Sequence, residues 1–512
     1  MVESFGADFL QGTSWALAPT TMLYCTFGVT LGMIVGVLPG VGIMATIALL
    51  MPFTFHLEPM LGIAMLAGIY YGAAYGGSTA SILLNMPGTA QSAVTCLDGY
   101  PMSKQGRAGV ALFMTTIASF VGSAIGIAVL VSLAFPLARL ALKIGPQEYF
   151  AIMVLGLVMA SVMTTGGSVL KSLAMTAAGV MIGLVGVDVT SGAARFTFGN
   201  VHFFDGLQIV AVALGFFGLA ELVRNAGNAA PRKVRAGDLS FRSMLPTRDD
   251  WRRAWPAMFR GSGIGSMFGA LPGTGGMLAS FMSYAVERRV SKRPEEFGQG
   301  AIEGVSAPES ANNAAIQTAF IPTLTLGIPG DAVMALMLGV FIIHGITPGP
   351  QMISNDPAMF WGLIVTFLFG NIILLILNIP LIGVWVRILA IPYSILFPAI
   401  IAFLCIGVYS VNYSVHDLYV LIAFGIAGYV LHMLSFPIAP VMLGMVLGPM
   451  MEENFRRAMI LQRGDLMGFM RQPISATLLS LTALMLLFMV FKALRESRRR
   501  AEQKQHEKQE SA

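Results

Sequence analysis

Residues 32–42 read GMIVGVLPGVG, and residues 265–275 read GSMFGALPGTG. Both follow the pattern G-x3-G-x-L-P-G-x-G, at an offset of 233. Two further motifs recur in the same order. SILLNMPG at 81–88 is matched by TLTLGIPG at 323–330, and Gly99-Tyr100-Pro101 is echoed by Gly345-Ile346-Thr347-Pro348. The 81–88 match has an offset of 242, so the later copy carries about nine extra residues between its motifs. Ordered self-similarity at a near-constant spacing marks an internal duplication. The chain reads as a first membrane repeat over 1–224, a basic linker over 225–257, a second membrane repeat over 258–491 and a basic tail over 492–512.

These motifs sit in a very apolar chain. Of 512 residues, 56% are hydrophobic and 11% charged, against roughly 25% charged in a soluble domain. Mean hydropathy is +0.75. That charge cannot cover the surface of a soluble body of this size. Apolar segments fall at 15–55, 59–84, 109–140, 149–162, 168–187, 206–223, 258–286, 301–326, 332–346, 358–386, 391–411, 418–447 and 477–490. A span takes about 20 apolar residues. The expectation is an all-α polytopic membrane protein of roughly 10–12 spans, with no room for a soluble enzymatic domain. The net charge of +5 sits in loops and does not point to nucleic acid. Cys25, Cys96 and Cys405 are scattered and make neither a disulfide framework nor a zinc pattern. The acidic start, MVESFGADFLQGTSW, lacks the basic region of a cleavable signal peptide.

Charge also sets the expected topology. Arg232, Lys233, Arg235, Arg242, Arg248, Arg252 and Arg253 outnumber Asp238, Asp249 and Asp250 in the linker, which places it in the cytoplasm with the tail. The second Gly-rich segment has basic flanks, Arg252, Arg253 and Arg260 before it and Arg288, Arg289, Lys292 and Arg293 after it. About 27 residues between Arg260 and Arg288 are too few for two full spans. They fit a hairpin that enters from the cytoplasm and turns at its Pro-Gly. The first hairpin has Glu3, Asp8, His56 and Glu58 for neighbours, so it enters from the other side. Equivalent hairpins with opposite flanks define two inverted-topology repeats, each with a re-entrant hairpin and Pro-Gly broken helices.

Irregular backbone inside a bilayer is tolerated only where protein or a water-filled cavity satisfies it. Pro39-Gly40, Pro87-Gly88, Pro272-Gly273 and Pro329-Gly330 each end one half-helix and begin another. The N-terminal ends of the new half-helices carry partial positive charge and free N–H groups, which suits an anion. Beside the breaks stand Gly40, Ser78, Thr79, Ser81, Asn85, Gly88, Thr89, Gly273, Thr274, Ser310, Asn312, Asn313 and Gly330. They are the candidate substrate-binding set. Any one of them can equally cap a helix or bond between helices. Glu309 and Asp331, with Gly42 and Gly275, are the candidate holders of a coupling ion, because a carboxylate inside a membrane is costly and marks function. Asp331 also sits where an N-cap belongs. Asp188, Arg195 and Glu221 read as interfacial. No metalloprotease, nucleotide-binding or nucleophile-elbow motif is present, so the chain is not read as an enzyme and no cofactor beyond a coupling Na⁺ or H⁺ is expected.

Four stretches carry a family resemblance: GVLPGVGIMATIALLMPFTF (36–55), YYGAAYGGSTASILLNMPGTAQSAVTCLDGYPMSKQGRAG (70–109), GAIEGVSAPESANNAA (300–315) and IPTLTLGIPGDAVMALMLGVFIIHGITPGPQM (321–352). They resemble the large membrane subunit (TctA) of the tripartite tricarboxylate transporters, over about residues 15–470. The resemblance implies a multi-pass protein of the bacterial inner membrane. It implies two partners, a small membrane subunit of TctB type and a periplasmic solute-binding protein of TctC type. It also implies import of citrate or related carboxylates, driven by an ion gradient. A channel, a membrane-embedded enzyme and a scaffold are the readings from other classes.

Overall fold

The structure is a computed structural model that describes residues 2–38, 42–54, 56–163, 169–188, 191–225, 241–272, 275–346, 348–388, 393–487 and 489. Gly40, Gly273, Thr274, most of the basic linker and the tail lie outside the described residues. In chain order the helices begin with α1 (Val2–Ala16), α2 (Pro19–Val37), α3 (Gly42–Leu50), α4 (Pro59–Leu84), α5 (Thr95–Lys104) and α6 (Ala108–Ala141). Then follow α7 (Pro146–Met163), α8 (Val169–Gly183), α9 (Ile209–Ala213), a π-turn at Leu214–Leu219, α10 (Ala220–Asn225) and α11 (Phe241–Met244). The second half has α12 (Arg248–Gly269), α13 (Gly275–Val290), α14 (Ile302–Thr318), α15 (Phe320–Leu326), α16 (Ala332–Ile343), α17 (Pro350–Asn355) and α18 (Pro357–Ile388). It ends with α19 (Tyr393–Asn412), α20 (Val415–Met433), α21 (Ala439–Leu461) and α22 (Gly468–Arg471). Among the described residues, five helices are long and apolar enough to cross a membrane and six shorter ones are apolar. The protein is an all-α, multi-pass membrane protein.

Three elements differ from the sequence expectation. The acidic N-terminal stretch is a helix, α1. The apolar run at 206–223 is interrupted by the π-turn. From Arg248 onward the stretch read as linker is the first arm of the second hairpin, because Thr247 and Asp250 form a capping box. The Thr247 hydroxyl accepts from the Asp250 N–H at 3.2 Å, and the Asp250 carboxylate accepts from the Thr247 N–H at 2.9 Å. Such a box satisfies two of the N–H groups a helix start leaves open.

Contacts divide the chain into two compact units that each draw on both sequence halves: Met1–Ala141 with Leu207–Val430, and Leu142–Gly206 with Leu431–Ala512. The first unit holds both hairpins and repeats its own geometry. A Cβ on Gly28, Gly32 or Gly36 of α2 would come within 2.1, 2.2 and 2.5 Å of the carbonyl oxygens of Met65, Ile69 and Ala73 on α4. On Gly261, Gly265 or Gly269 of α12 it would come within 2.2, 2.1 and 2.3 Å of those of Ala307, Ala311 and Ala315 on α14. Every glycine moves by 233 and every partner by 242, the two offsets of the sequence motifs. Backbones this close are the usual reason for small-residue stripes in membrane helices. In both pairs the contacts ascend together, so each hairpin arm runs parallel to its partner. The two partners themselves run antiparallel, since Tyr71 on α4 meets Gln317 on α14 while Ser78 meets Glu309. Equivalent helices pointing in opposite directions are an inverted repeat.

In the second unit Gly179 and Gly183 of α8 pack against the backbone of Val441 and Met445 on α21. Beside them a two-stranded hairpin, β1 (Gly186–Val187) with β2 (Ala194–Arg195), closes a ring of charge. Arg195 reaches Glu452 at 2.8 Å and Asp188 at 3.2 Å, and Arg456 reaches Asp188 at 3.1 Å and Glu452 at 2.6 Å.

Candidate functional site

The breaks follow the same duplication. The first broken helix ends in a left-handed residue, Asn85 at φ +54°, and the second in Gly327 at φ +70°, 242 residues on. Asparagine and glycine are the residues that take this conformation most readily. Gly88 then seats on the backbone of Gly77, and Gly330 on that of Ala319. Across the first break Ser81 donates to the Ser92 carbonyl at 2.9 Å. The next half-helix starts under a side-chain cap in each copy. Thr89 Oγ1 accepts from the Ser92 N–H at 3.3 Å, and Asp331 Oδ1 accepts from the Met334 N–H at 2.8 Å.

That second cap corrects one expectation. The amide end at Ala332 faces a carboxylate of its own chain, so it does not stand open to a free anion. Asp331 Oδ2 also receives the Tyr70 hydroxyl at 3.4 Å. Gly275, at φ +66°, opens α13 beside Asp331, and Gly42 opens α3.

Glu309 lies in mid-helix on α14 and is 1% exposed. Three hydroxyls from three other elements converge on its carboxylate. Ser78 of α4 donates to Oε1 at 2.6 Å, Thr95 of α5 to Oε1 at 2.5 Å, and Ser119 of α6 to Oε2 at 3.4 Å. Asn313 steadies this cage by donating to Ser119 Oγ at 2.8 Å and to the Glu309 carbonyl at 3.0 Å. Among the described residues no Lys, Arg or His forms an ion pair with Glu309. A buried carboxylate needs such donors, a proton or a cation. A hydroxyl can turn and offer a lone pair in place of its hydrogen. A cage of carboxylate and hydroxyl oxygens therefore suits either a proton or a hard cation. A narrow polar crevice adjoins it, lined by Tyr75, Ser78, Thr79, Thr115, Thr116 and Ser119, with Asn378.

The remaining sequence candidates fall into different roles. Ser310 donates to the carbonyls of Met258 and Ala307 and binds α12 to α14, which is packing. Asn312 is 1% exposed and neither of its amide atoms has a partner. The sequence reading left out Thr95, Ser119 and Tyr70. A signal for Ser119 existed: Thr115, Ser119 and Ser123 recur at i, i+4 and i+8 in an apolar helix, a polar stripe that lipid would not favour. Thr95 and Tyr70 carried no such signal.

A helical membrane protein with inverted halves, re-entrant hairpins and a caged intramembrane carboxylate is, by class, a membrane transport protein. The sequence profile of the tripartite tricarboxylate transporter TctA family matches residues 22–443, and the chain belongs to that family. It is a transporter subunit of a system with further subunits. Two relatives from Agrobacterium vitis are similar to it. An "Uncharacterized 52.8 kDa protein in TAR-I ttuC' 3'region" is 49% identical over 95% of this chain and 96% of its own length. An "Uncharacterized protein in TAR-II ttuC' 3'region" is 55% identical over 46% of this chain and 97% of its own length. No solved structure matches the chain.

Proposed function

We propose that this chain is the translocating subunit of a secondary carboxylate importer in the bacterial inner membrane. A small membrane subunit accompanies it, and a periplasmic solute-binding protein feeds it. Citrate or a related organic anion is moved together with Na⁺ or H⁺. The observation that carries this reading is the Glu309 cage: a buried carboxylate held by Ser78, Thr95 and Ser119 without a basic partner among the described residues. A scaffold has no use for such a costly group, and a channel has no use for coupling. A cation or proton at Glu309 reduces the cost of bringing a multiply charged anion into low dielectric. The inverted repeat offers the two mirrored states that alternating access needs. Uptake of labelled citrate and a panel of di- and tricarboxylates into proteoliposomes holding all three components tests this. Na⁺ and pH gradients are imposed separately. Saturable uptake that follows one gradient is the expected result. Non-saturating flux indifferent to both gradients is the result for a channel, and no flux is the result for a scaffold.

A further inference from the structure

The two hairpin tips are equivalent by descent, yet only one is built for a polar guest. The start of α13 packs against the turn at Gln91–Ala93, and α3 packs against α16, the same relation displaced by the two offsets. At the second tip a Cβ on Gly276 would lie 2.7 Å from Asn312 Oδ1 and 3.1 Å from the side-chain amide carbon of Gln91. Both amide atoms of Asn312 and Oε1 of Gln91 are buried without a hydrogen-bond partner. At the first tip Ile43 stands where the second has Gly276, Val333 where it has Gln91, and Tyr70 where it has Asn312. Ile43 and Val333 are buried apolar side chains, and the Tyr70 hydroxyl is committed to Asp331. A buried amide with no partner is costly. Selection could have filled this tip with apolar side chains, as it did its mirror.

We infer that Gln91 and Asn312, beneath the glycine tip at 275–276, form the seat for one carboxylate group of the transported anion, and that the mirrored tip is a dry seal. Asn312 Nδ2 is the donor to the carboxylate. Gln91 presents either end of its amide, because the Tyr70 hydroxyl beside it serves as donor or acceptor. Gly276 leaves the hairpin free to close over both. The seat is separate from the Glu309 cage, which keeps the coupling ion. This inference rests on the reading of the chain as a carboxylate importer.

Wild-type protein and the variants Asn312→Ala, Gln91→Ala, Gly276→Ala and Ile43→Val are compared in the three-component proteoliposomes with citrate and the same carboxylate panel. Gly276→Ala turns Asn312 aside by meeting the end of its side chain, so the fold accommodates it. The three changes at the second tip raise the half-saturating anion concentration about tenfold, while the Na⁺ or pH dependence keeps its wild-type midpoint. Ile43→Val stays within about twofold of wild type. Wild-type half-saturation in Asn312→Ala and Gln91→Ala overturns the seat and leaves the importer reading standing. An Ile43→Val shift as large as theirs overturns the assignment of one tip. Absence of carboxylate uptake by the wild-type system overturns the importer reading and the seat with it.

Discussion

Glu309 is the single residue on which most of the chemistry turns. Glu309→Gln keeps its shape and much of its hydrogen bonding but removes the charge. If the cage holds Na⁺, the variant needs more Na⁺ for half-maximal uptake, and anion affinity weakens with it because coupling between two sites is reciprocal. If the cage holds a proton, the variant loses its response to a pH gradient while any Na⁺ dependence is unchanged. Uptake that keeps both dependences intact assigns Glu309 to structure and shifts attention to Asp331. The acid itself was legible in the sequence as a carboxylate in an apolar run. Its cage was not, because Ser78, Thr95 and Ser119 lie 231, 214 and 190 residues away along the chain. Asp331 was legible in both of its roles, since a residue directly after Pro-Gly reads as an N-cap, and it does cap Met334.

At the scale of elements, the helix pairs depend on what a glycine lacks. Gly265→Val places a branched side chain 2.1 Å from the Ala311 carbonyl, against backbone that cannot retreat. The cost is about 3 kcal/mol or more, read as a large fall in melting temperature in detergent. Gly263, two residues earlier on α12, has open space where a methyl group would stand, with nothing within 4 Å of it. Gly263→Ala raises helix propensity by up to about 1 kcal/mol, and melting stays at or above the wild-type value. The start of α12 has its own pH signature. Burial pushes the Asp250 carboxyl up, but hydrogen bonds from Arg107 and Thr247 outweigh it and hold the group below the usual carboxylate range. A lowered folded value stabilises above the unfolded value and is lost as pH falls through the folded one. The melting difference between wild type and Asp250→Asn is therefore full above about pH 5 and narrows below about pH 4.

For the molecule as a whole, the inverted repeat of the first unit makes a topological prediction. Gln105 donates to the Gln299 carbonyl at 2.7 Å, and Arg107 pairs with Asp250, so the end of α5, the start of α12 and the turn before α14 share one face. A Cβ on Gly62, near the start of α4, would meet the His344 ring, so the start of α4 and the end of α16 share another. The Lys and Arg excess places the first face in the cytoplasm. In a background without Cys25, Cys96 and Cys405, cysteines at 56 and 345 label from outside intact spheroplasts. Cysteines at 105 and 299 label only after permeabilisation. The reverse pattern would invert the molecule and remove the basis for a hairpin entering from the cytoplasm.

Hydropathy, the Pro-Gly breaks and the two offsets were local or periodic properties of the sequence. By themselves they determined a helical membrane protein, its duplication and the places where its helices break. They depend on how each residue treats its immediate neighbours: proline has no N–H to donate, glycine admits a left-handed turn, and apolar runs avoid water. Only the tertiary structure decided which polar residues meet. It brought three hydroxyls from separate helices to Glu309, gave Ser310 to packing, closed the α16 end with Asp331 and left the Asn312 amide and the Gln91 side-chain carbonyl unpartnered under one hairpin tip. The physical reason is that hydrogen bonds between helices depend on register and crossing. Those are set by the backbone contacts at Gly28, Gly32 and Gly36 and at Gly261, Gly265 and Gly269, and spacing along the chain does not carry them.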